Sequence, residues 1–109
     1  MEKLDKLNQK IKKFVKERDW EQFHSPSNLS KSISIEASEL LECFQWNDND
    51  FDLNAVKEEL ADVMIYCIQL SQVLNVDIVD ICNDKMDKNA KKYPVEKAKG
   101  NSTKYNKIS

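Results

Sequence analysis

Four carboxylates stand in two pairs that have the same spacing. Glu36 and Glu39 are three residues apart, and so are Glu59 and Asp62. At about 100° per helical residue, the members of each pair fall about 60° and about 120° to the same side of the apolar stripe of their helix. If the two helices pack as neighbours, the four side chains can converge.

Converging carboxylates repel one another and lose hydration, so they need a counter-charge. Mg²⁺ and Mn²⁺ prefer hard oxygen ligands and keep coordination positions open for water and substrate phosphates. The alternative is that these acids form an ordinary solvated face, in a chain with 33% charged residues. The spacing alone leaves both interpretations open. If the matched pairs form a metal site, we expect it to bind Mg²⁺, and Mn²⁺ could replace that ion.

Two polar residues interrupt the apolar stripe of a later helix. Lys85 and Asn89, four residues apart, fall in the middle of the stripe that contains Ile78, Ile81 and Met86. An inward ammonium and an inward amide need partners, so we expect Lys85 to contact a phosphate and Asn89 a hydroxyl or a base. The alternative for Lys85 is that it extends to the surface or neutralises one carboxylate.

Aromatic side chains lie near helix ends. Trp20 follows the first predicted helix and Trp46 the second, while Tyr66 lies one turn beyond Asp62. Stacking on a nucleobase accounts for the two tryptophans better than core packing, which stays the alternative. His24, the only histidine, either lines the same pocket or is a hydrogen-bonded loop residue. Nothing near it completes a catalytic triad, and one histidine cannot supply the two Glu-x-x-His motifs of a di-iron bundle.

Hydrophobic periodicity predicts the helices that must position these side chains. The predicted ranges are about 2–18, 28–44, 54–74 and 77–93. Ser27 or Asn28 would cap the second helix, and Pro94 stops the fourth. No stretch is predicted as a strand. The expected fold class is therefore all-α, with one domain over 1–94 and a polar, lysine-rich tail over 95–109 that can contribute to the site.

Composition excludes several other classes of protein. A single Gly cannot supply a Gly-rich phosphate loop or a dinucleotide fingerprint. Seventeen Lys and Arg against 19 Asp and Glu give no reason to expect a nucleic-acid partner. Charges interrupt every apolar run before the ~20 residues of a membrane span, and the charged N-terminus does not resemble a secretory signal. Three cysteines without Cys-x-x-Cys spacing are expected to be reduced, half-buried thiols in a cytoplasmic protein.

The third predicted helix is apolar on more than one side. Its rear carries Ala61, Ile65 and Ile68 in addition to the stripe that faces the core. A four-helix monomer of this size cannot easily cover such a helix. We therefore expect a partner subunit to cover it.

These residues together resemble one family. Glu36-Ala-Ser-Glu39 and Glu58-Glu59-Leu-Ala-Asp62 look like the E-x-x-E and E-x-x-D pairs of the MazG-like all-α nucleoside triphosphate pyrophosphohydrolases. Within that family the chain is most similar to the dCTP pyrophosphatase branch, over about residues 4–106. The similar stretches are RDWEQFH (18–24), CFQW (43–46), EELADVMIY (58–66), KMDKNAKKYP (85–94) and TKYN (103–106).

The resemblance implies a four-helix bundle completed by oligomerisation, as dimers that pair into tetramers with sites shared between subunits. It also implies Mg²⁺-dependent cleavage between the α- and β-phosphates of a nucleoside triphosphate, which gives a monophosphate and pyrophosphate. The residues that match the metal ligands of the family are Glu36, Glu39, Glu59 and Asp62. Those that match its base and sugar pocket are Trp20, Trp46, Tyr66 and Asn89.

We therefore expect a house-cleaning enzyme of the nucleotide pool that acts on dCTP or modified cytosine nucleotides. The four carboxylates would be its catalytic residues, with Glu39 as the candidate base for the attacking water. Ile11, Ser27 and the lysines near Tyr93 depart from animal members of the family, which leaves the base preference open. The alternatives are a module that binds nucleotides without turnover and a helical oligomerisation or regulatory module.

Overall fold

The structure, a computed structural model, describes residues 2–100, and this part of the chain contains helices and turns but no strand. The elements are α1 (Glu2–Glu17), a 3₁₀ turn (Trp20–Phe23), α2 (Pro26–Glu42), α3 (Leu53–Val73), α4 (Ile78–Lys92) and α5 (Val95–Ala98). The predicted all-α class is confirmed, and α1 to α4 match the four predicted helices to within one or two residues. The 3₁₀ turn and α5 were not predicted. The motif at 103–106 and most of the tail lie outside the described residues.

The chain divides into two compact units between Val76 and Asp77. The first unit contains α1, the 3₁₀ turn, α2 and α3, and the second contains α4 and α5. Within the first unit, α2 and α3 share the most extensive interface, and α1 also packs against α3. The two helices that carry the paired carboxylates are therefore neighbours, which is the condition for their convergence.

Side-chain caps determine where these helices begin. The Ser25 Oγ accepts a hydrogen bond from the Asn28 backbone N–H at 3.0 Å, and Pro26 occupies the first turn of α2. This start is two or three residues earlier than the predicted cap at Ser27 or Asn28, because proline is well suited to the first helical position. Asp52 caps α3 by accepting from the backbone N–H of Asn54 and Ala55. These caps help to set the register in which the carboxylates appear on α2 and α3.

The core of the first unit is small. Its buried apolar side chains are Ile11, Val15, Leu29 and Ile68. A polar tie joins α1 to α3, since the Gln72 side-chain amide donates to the Asn8 carbonyl at 2.9 Å and also to the Asn8 side-chain oxygen. This tie holds the amino-terminal half of α1 against the carboxyl-terminal end of α3.

The apolar rear of α3 is partly covered by the chain itself, which corrects one expectation. Ile68 is fully buried and Ile65 is half-buried, because other helices of the first unit pack against α3. Large apolar side chains that stay exposed include Leu60 (56%) and Met64 (44%) on α3 and Leu41 (70%) on α2. An uncovered apolar surface therefore exists, but of the three predicted positions only Ala61 is exposed.

Among the described residues, no single helix is long and apolar enough to cross a membrane, and only α3 and α4 taken as a pair reach that length and apolar content. The three cysteines are free thiols. Cys43 and Cys67 are half-buried, as predicted, whereas Cys82 is exposed.

Candidate functional site

The packing of α2 on α3 brings three of the four predicted carboxylates together. Glu36, Glu59 and Asp62 each offer one carboxylate oxygen, and these oxygens all lie within 4.8 Å of one another. All three residues are half-buried. The convergence inferred from the paired spacing is therefore present for one residue of α2 and two of α3.

Glu39 lies beside this group and is more exposed. Hydrogen bonding and charge from Glu39 act on both Glu36 and Glu59. The hydrogen bond with Glu39, followed by loss of hydration and the charges of Glu39 and Asp62, raises the pKa of Glu36 to about 7. Loss of hydration, followed by the hydrogen bond with Glu39, also raises the pKa of Glu59. The four carboxylates, called the acidic cluster below, therefore retain a proton near neutral pH when no cation is bound.

Two oxygens of the acidic cluster have no hydrogen-bond partner. The Oε2 atoms of Glu36 and Glu59 are buried and receive no donor. A buried acceptor without a donor is unfavourable, so most such atoms in proteins are paired. A cation would supply the missing partner, and a ligand set made only of carboxylates suits a hard divalent cation. The residues present therefore fit the expected metal.

The predicted base-stacking residues have different environments. Trp20 is 42% exposed and packs edge to face on Phe14, with ring centroids 5.6 Å apart. Trp46 is 89% exposed just beyond the end of α2. Tyr66 is half-buried on α3, one turn beyond Asp62. Their contact with a base stays a prediction.

His24 is half-buried and lines a cavity of about 330 Å³ with residues of α1, the 3₁₀ turn and α3. Neither tryptophan nor Tyr66 lines this cavity. Lys85 and Asn89 lie one turn apart on α4 of the second unit, the lysine exposed and the asparagine half-buried. Their proposed contacts with a substrate stay predictions.

Gln69 is a polar residue that the sequence reasoning missed. It is only 6% exposed, lines the same cavity as His24, and its Oε1 atom is buried without a hydrogen-bond partner. One feature of the sequence points to it: Gln69 follows Asp62 by seven residues and so shares its face of α3. Its burial depends on packing and is not visible in the sequence.

Comparison with known proteins shows which proteins this chain resembles in sequence. Residues 31–108 match the MazG-like family. The chain is 37% identical to mouse dCTP pyrophosphatase 1 over 94% of its own length and 65% of the mouse protein. It is 36% identical to human dCTP pyrophosphatase 1, covering 96% of this chain and 67% of the human protein. The chain thus spans about two thirds of the length of these relatives.

A solved structure is also similar. A pyrophosphatase from Archaeoglobus fulgidus is 39% identical in sequence and superimposes with a TM-score of 0.78. The similarity covers 84% of this chain and 92% of the archaeal chain. The archaeal protein is therefore alike over nearly its whole length, whereas the mammalian relatives extend beyond the matched region.

Proposed function

Because this chain belongs to the MazG-like family, we propose that it is a metal-dependent nucleoside triphosphate pyrophosphohydrolase. The observation that carries the proposal is the acidic cluster, in which three carboxylates converge and two of their oxygens lack donors. The names of its relatives, dCTP pyrophosphatase 1 and pyrophosphatase, support the same reaction. The products would be a nucleoside monophosphate and pyrophosphate.

The acidic cluster would hold Mg²⁺ through Glu36, Glu39, Glu59 and Asp62, with Mn²⁺ as a substitute. When bound, such an ion neutralises the charge of the phosphates and the charge that develops during in-line displacement. The orphaned oxygens of Glu36 and Glu59 support this assignment, since they are buried and face no donor.

The remaining chemistry belongs to side chains of the protein. Glu39 is the most exposed member of the acidic cluster, so water can reach it, and we assign it the role of accepting the proton of the attacking water. Lys85 would bind a phosphate and Asn89 a hydroxyl or the base. Trp20, Trp46, Tyr66 and His24 would surround the base and sugar.

For the substrate we propose dCTP or a modified cytosine nucleotide, by analogy with the names of the mammalian relatives. Removal of such nucleotides would make the protein a house-cleaning enzyme of the nucleotide pool. We place this activity in the cytoplasm, where the three free thiols stay reduced.

We also propose that the chain works as a homo-oligomer, a tetramer built from dimers. The exposed apolar side chains of Leu41, Leu60 and Met64 support association, because a partner subunit would remove them from water. We propose neither nucleic acid nor a membrane as a partner of the protein.

A panel of nucleoside triphosphates, assayed for pyrophosphate release with and without Mg²⁺, tests the proposed function. We expect release from dCTP that requires the metal. Binding of nucleotides without release would favour a non-catalytic nucleotide-binding module. Absence of binding to both nucleotides and Mg²⁺ would favour a helical oligomerisation or regulatory module.

A further inference from the structure

A cavity of about 330 Å³ lies in the first unit between α1, the 3₁₀ turn and the carboxyl-terminal half of α3. This volume is at the lower end of the range for small-molecule sites. The lining residues used below are Lys12, Glu21, His24, Gln69, Gln72 and Val73. None of them belongs to the acidic cluster, and only His24 was predicted to contact a substrate.

Two glutamines line this cavity, and they differ in their hydrogen bonding. Gln72 uses its amide to tie α3 to Asn8 of α1. Gln69 is more deeply buried, at 6% exposed, and its Oε1 atom has no partner. A buried acceptor without a donor costs stability, so a ligand that supplies a donor to it would gain affinity. The cavity is therefore lined by one amide that has an unused acceptor.

The charges around the cavity indicate which part of a ligand it takes. Lys12 and Glu21 contribute one cation and one anion, and His24 and the two glutamines add polar groups. A phosphate site would need an excess of positive charge or a set of aligned backbone donors. This lining suits an uncharged group that carries hydrogen-bonding atoms.

The cavity and the acidic cluster both involve residues on the same face of α3. Asp62 and Gln69 are seven residues apart on α3, so they lie within about 20° of each other and about 10 Å apart along the helix axis. Val73 continues the same face and also lines the cavity. A nucleotide whose phosphates lie at the acidic cluster can therefore extend along this face of α3 toward Gln69.

We propose that Gln69 is a specificity-determining residue, whose side-chain amide hydrogen-bonds the edge of the base from this cavity, so that the faces of the base stay available to aromatic side chains; the identity of the ligand rests on the proposed function. A primary amide presents an acceptor and a donor side by side. Cytosine presents the complement, an exocyclic amino group beside a ring nitrogen. The amino group would donate to Oε1 of Gln69, and the ring nitrogen would accept from its Nε2.

The test compares Gln69→Met with the unmodified chain. Methionine keeps the unbranched shape and removes the amide, so the variant should fold as well as the unmodified chain or better. Binding of dCMP, followed by calorimetry without turnover, should weaken about 10-fold or more. Binding of deoxyribose 5-phosphate, which has no base, should not change. Gln9→Met, at an exposed position on α1, is the matched control and should bind dCMP like the unmodified chain.

Kinetics and spectroscopy separate a role in recognition from a structural one. For dCTP, Gln69→Met should raise KM about 10-fold while kcat changes less than about twofold. The reason is that the base contact is equally strong in the bound substrate and in the transition state, so its loss weakens binding without slowing the chemical step. In the unmodified chain, the side-chain amide NMR signal of Gln69 should shift on addition of dCMP but not of deoxyribose 5-phosphate. This measurement needs no variant, so it decides the matter even if Gln69→Met does not fold.

The outcomes for the two proposals are distinct. Equal affinity of Gln69→Met and the unmodified chain for dCMP, or an amide signal that dCMP leaves in place, would overturn the role of Gln69 and leave the hydrolase intact. Absence of pyrophosphate release, together with dCMP binding that depends on Gln69, would overturn the hydrolase and support the base contact.

Discussion

Glu36 of α2 and Glu59 of α3 place their carboxylates within 4.8 Å of each other, and each keeps its Oε2 atom buried without a donor. Like charges at this distance repel, and buried acceptors without donors are unfavourable. The proximity of Glu36 and Glu59 and their unpaired oxygens therefore lower the stability of the metal-free chain. Such a local conflict is expected where a site is organised for a ligand rather than for stability.

Neutralising one carboxylate should separate function from folding. We expect Asp62→Asn to abolish pyrophosphate release, because a ligand of the proposed cation is lost. Its thermal melting temperature without metal should stay the same or rise, because repulsion within the acidic cluster is relieved. Glu58→Gln, at the exposed neighbouring position outside the cluster, should keep both activity and stability. An Asp62→Asn protein that does not fold, although the unmodified chain is stable without metal, would argue for a structural role.

The stability of the metal-free chain should carry a contribution from Glu36 that decreases as the pH rises from about 4.5 to about 7. Folding raises the pKa of this carboxyl from 4.5 to about 7. In this window the folded state holds a proton that the unfolded state has released, so stability is greatest below the window and is lost through it. Chemical denaturation across the window should show this decrease, and Glu36→Gln should remove it. The same slope in Glu36→Gln would assign the effect to other groups.

Mg²⁺ affinity should have the opposite dependence on pH. The cation competes with the proton that the acidic cluster retains, because the raised pKa of Glu36 keeps that carboxyl partly protonated near neutral pH. Binding should therefore tighten as the pH rises through about 7 and should release protons. Calorimetry in two buffers with different ionisation enthalpies measures the number released. Binding that is independent of both pH and buffer would contradict a site at Glu36.

A charge on the exposed apolar surface should dissociate the proposed oligomer without unfolding the subunit. Leu60 is 56% exposed in the single chain, so Leu60→Lys costs the isolated fold little. At a subunit interface the same charge would be buried without a partner, which is strongly unfavourable. Sedimentation should show a smaller species for Leu60→Lys, while Asn54→Lys, an exposed position on the same helix, should sediment like the unmodified chain. Sedimentation of the unmodified chain as a monomer would contradict the assembly.

Trp46→Ala should weaken substrate binding without affecting the metal. The side chain is 89% exposed, so its removal leaves the fold intact. Stacking on an aromatic ring contributes roughly 1–3 kcal/mol per base, which corresponds to a rise in KM of about 10-fold or more. Mg²⁺ affinity without nucleotide should stay the same.

The protein should prefer a cytosine nucleotide to a guanine nucleotide. Titrations of tryptophan fluorescence should show tighter binding of dCMP than of dGMP, since the cavity beside Gln69, of about 330 Å³, leaves less room for the larger purine. Equal affinities and equal quenching for the two nucleotides would contradict this preference. A preference that survives in Trp46→Ala would assign the discrimination to other residues, with Gln69 the first candidate.

Part of the site was predictable because it depends on local periodicity. The three-residue spacing within Glu36/Glu39 and Glu59/Asp62 sets their angles on each helix, and one further condition, that the helices are neighbours, makes them converge. The cap at Ser25 was missed because Ser27 and Asn28 are also good capping residues, and only the backbone shows which of them bonds. The cover over Ile68 was missed because it comes from other elements of the first unit.

The sequence by itself determined the all-α class, the approximate helices and the faces on which the carboxylates lie, because helical periodicity is a property of residues close together in the chain. Only the tertiary structure decided that Glu36, Glu59 and Asp62 form the tight group while Glu39 stays more exposed. It alone decided that Gln69 is buried beside a cavity, with Oε1 unpaired. Burial and the loss of hydrogen-bond partners depend on contacts between distant segments, and spacing along one helix does not contain that information.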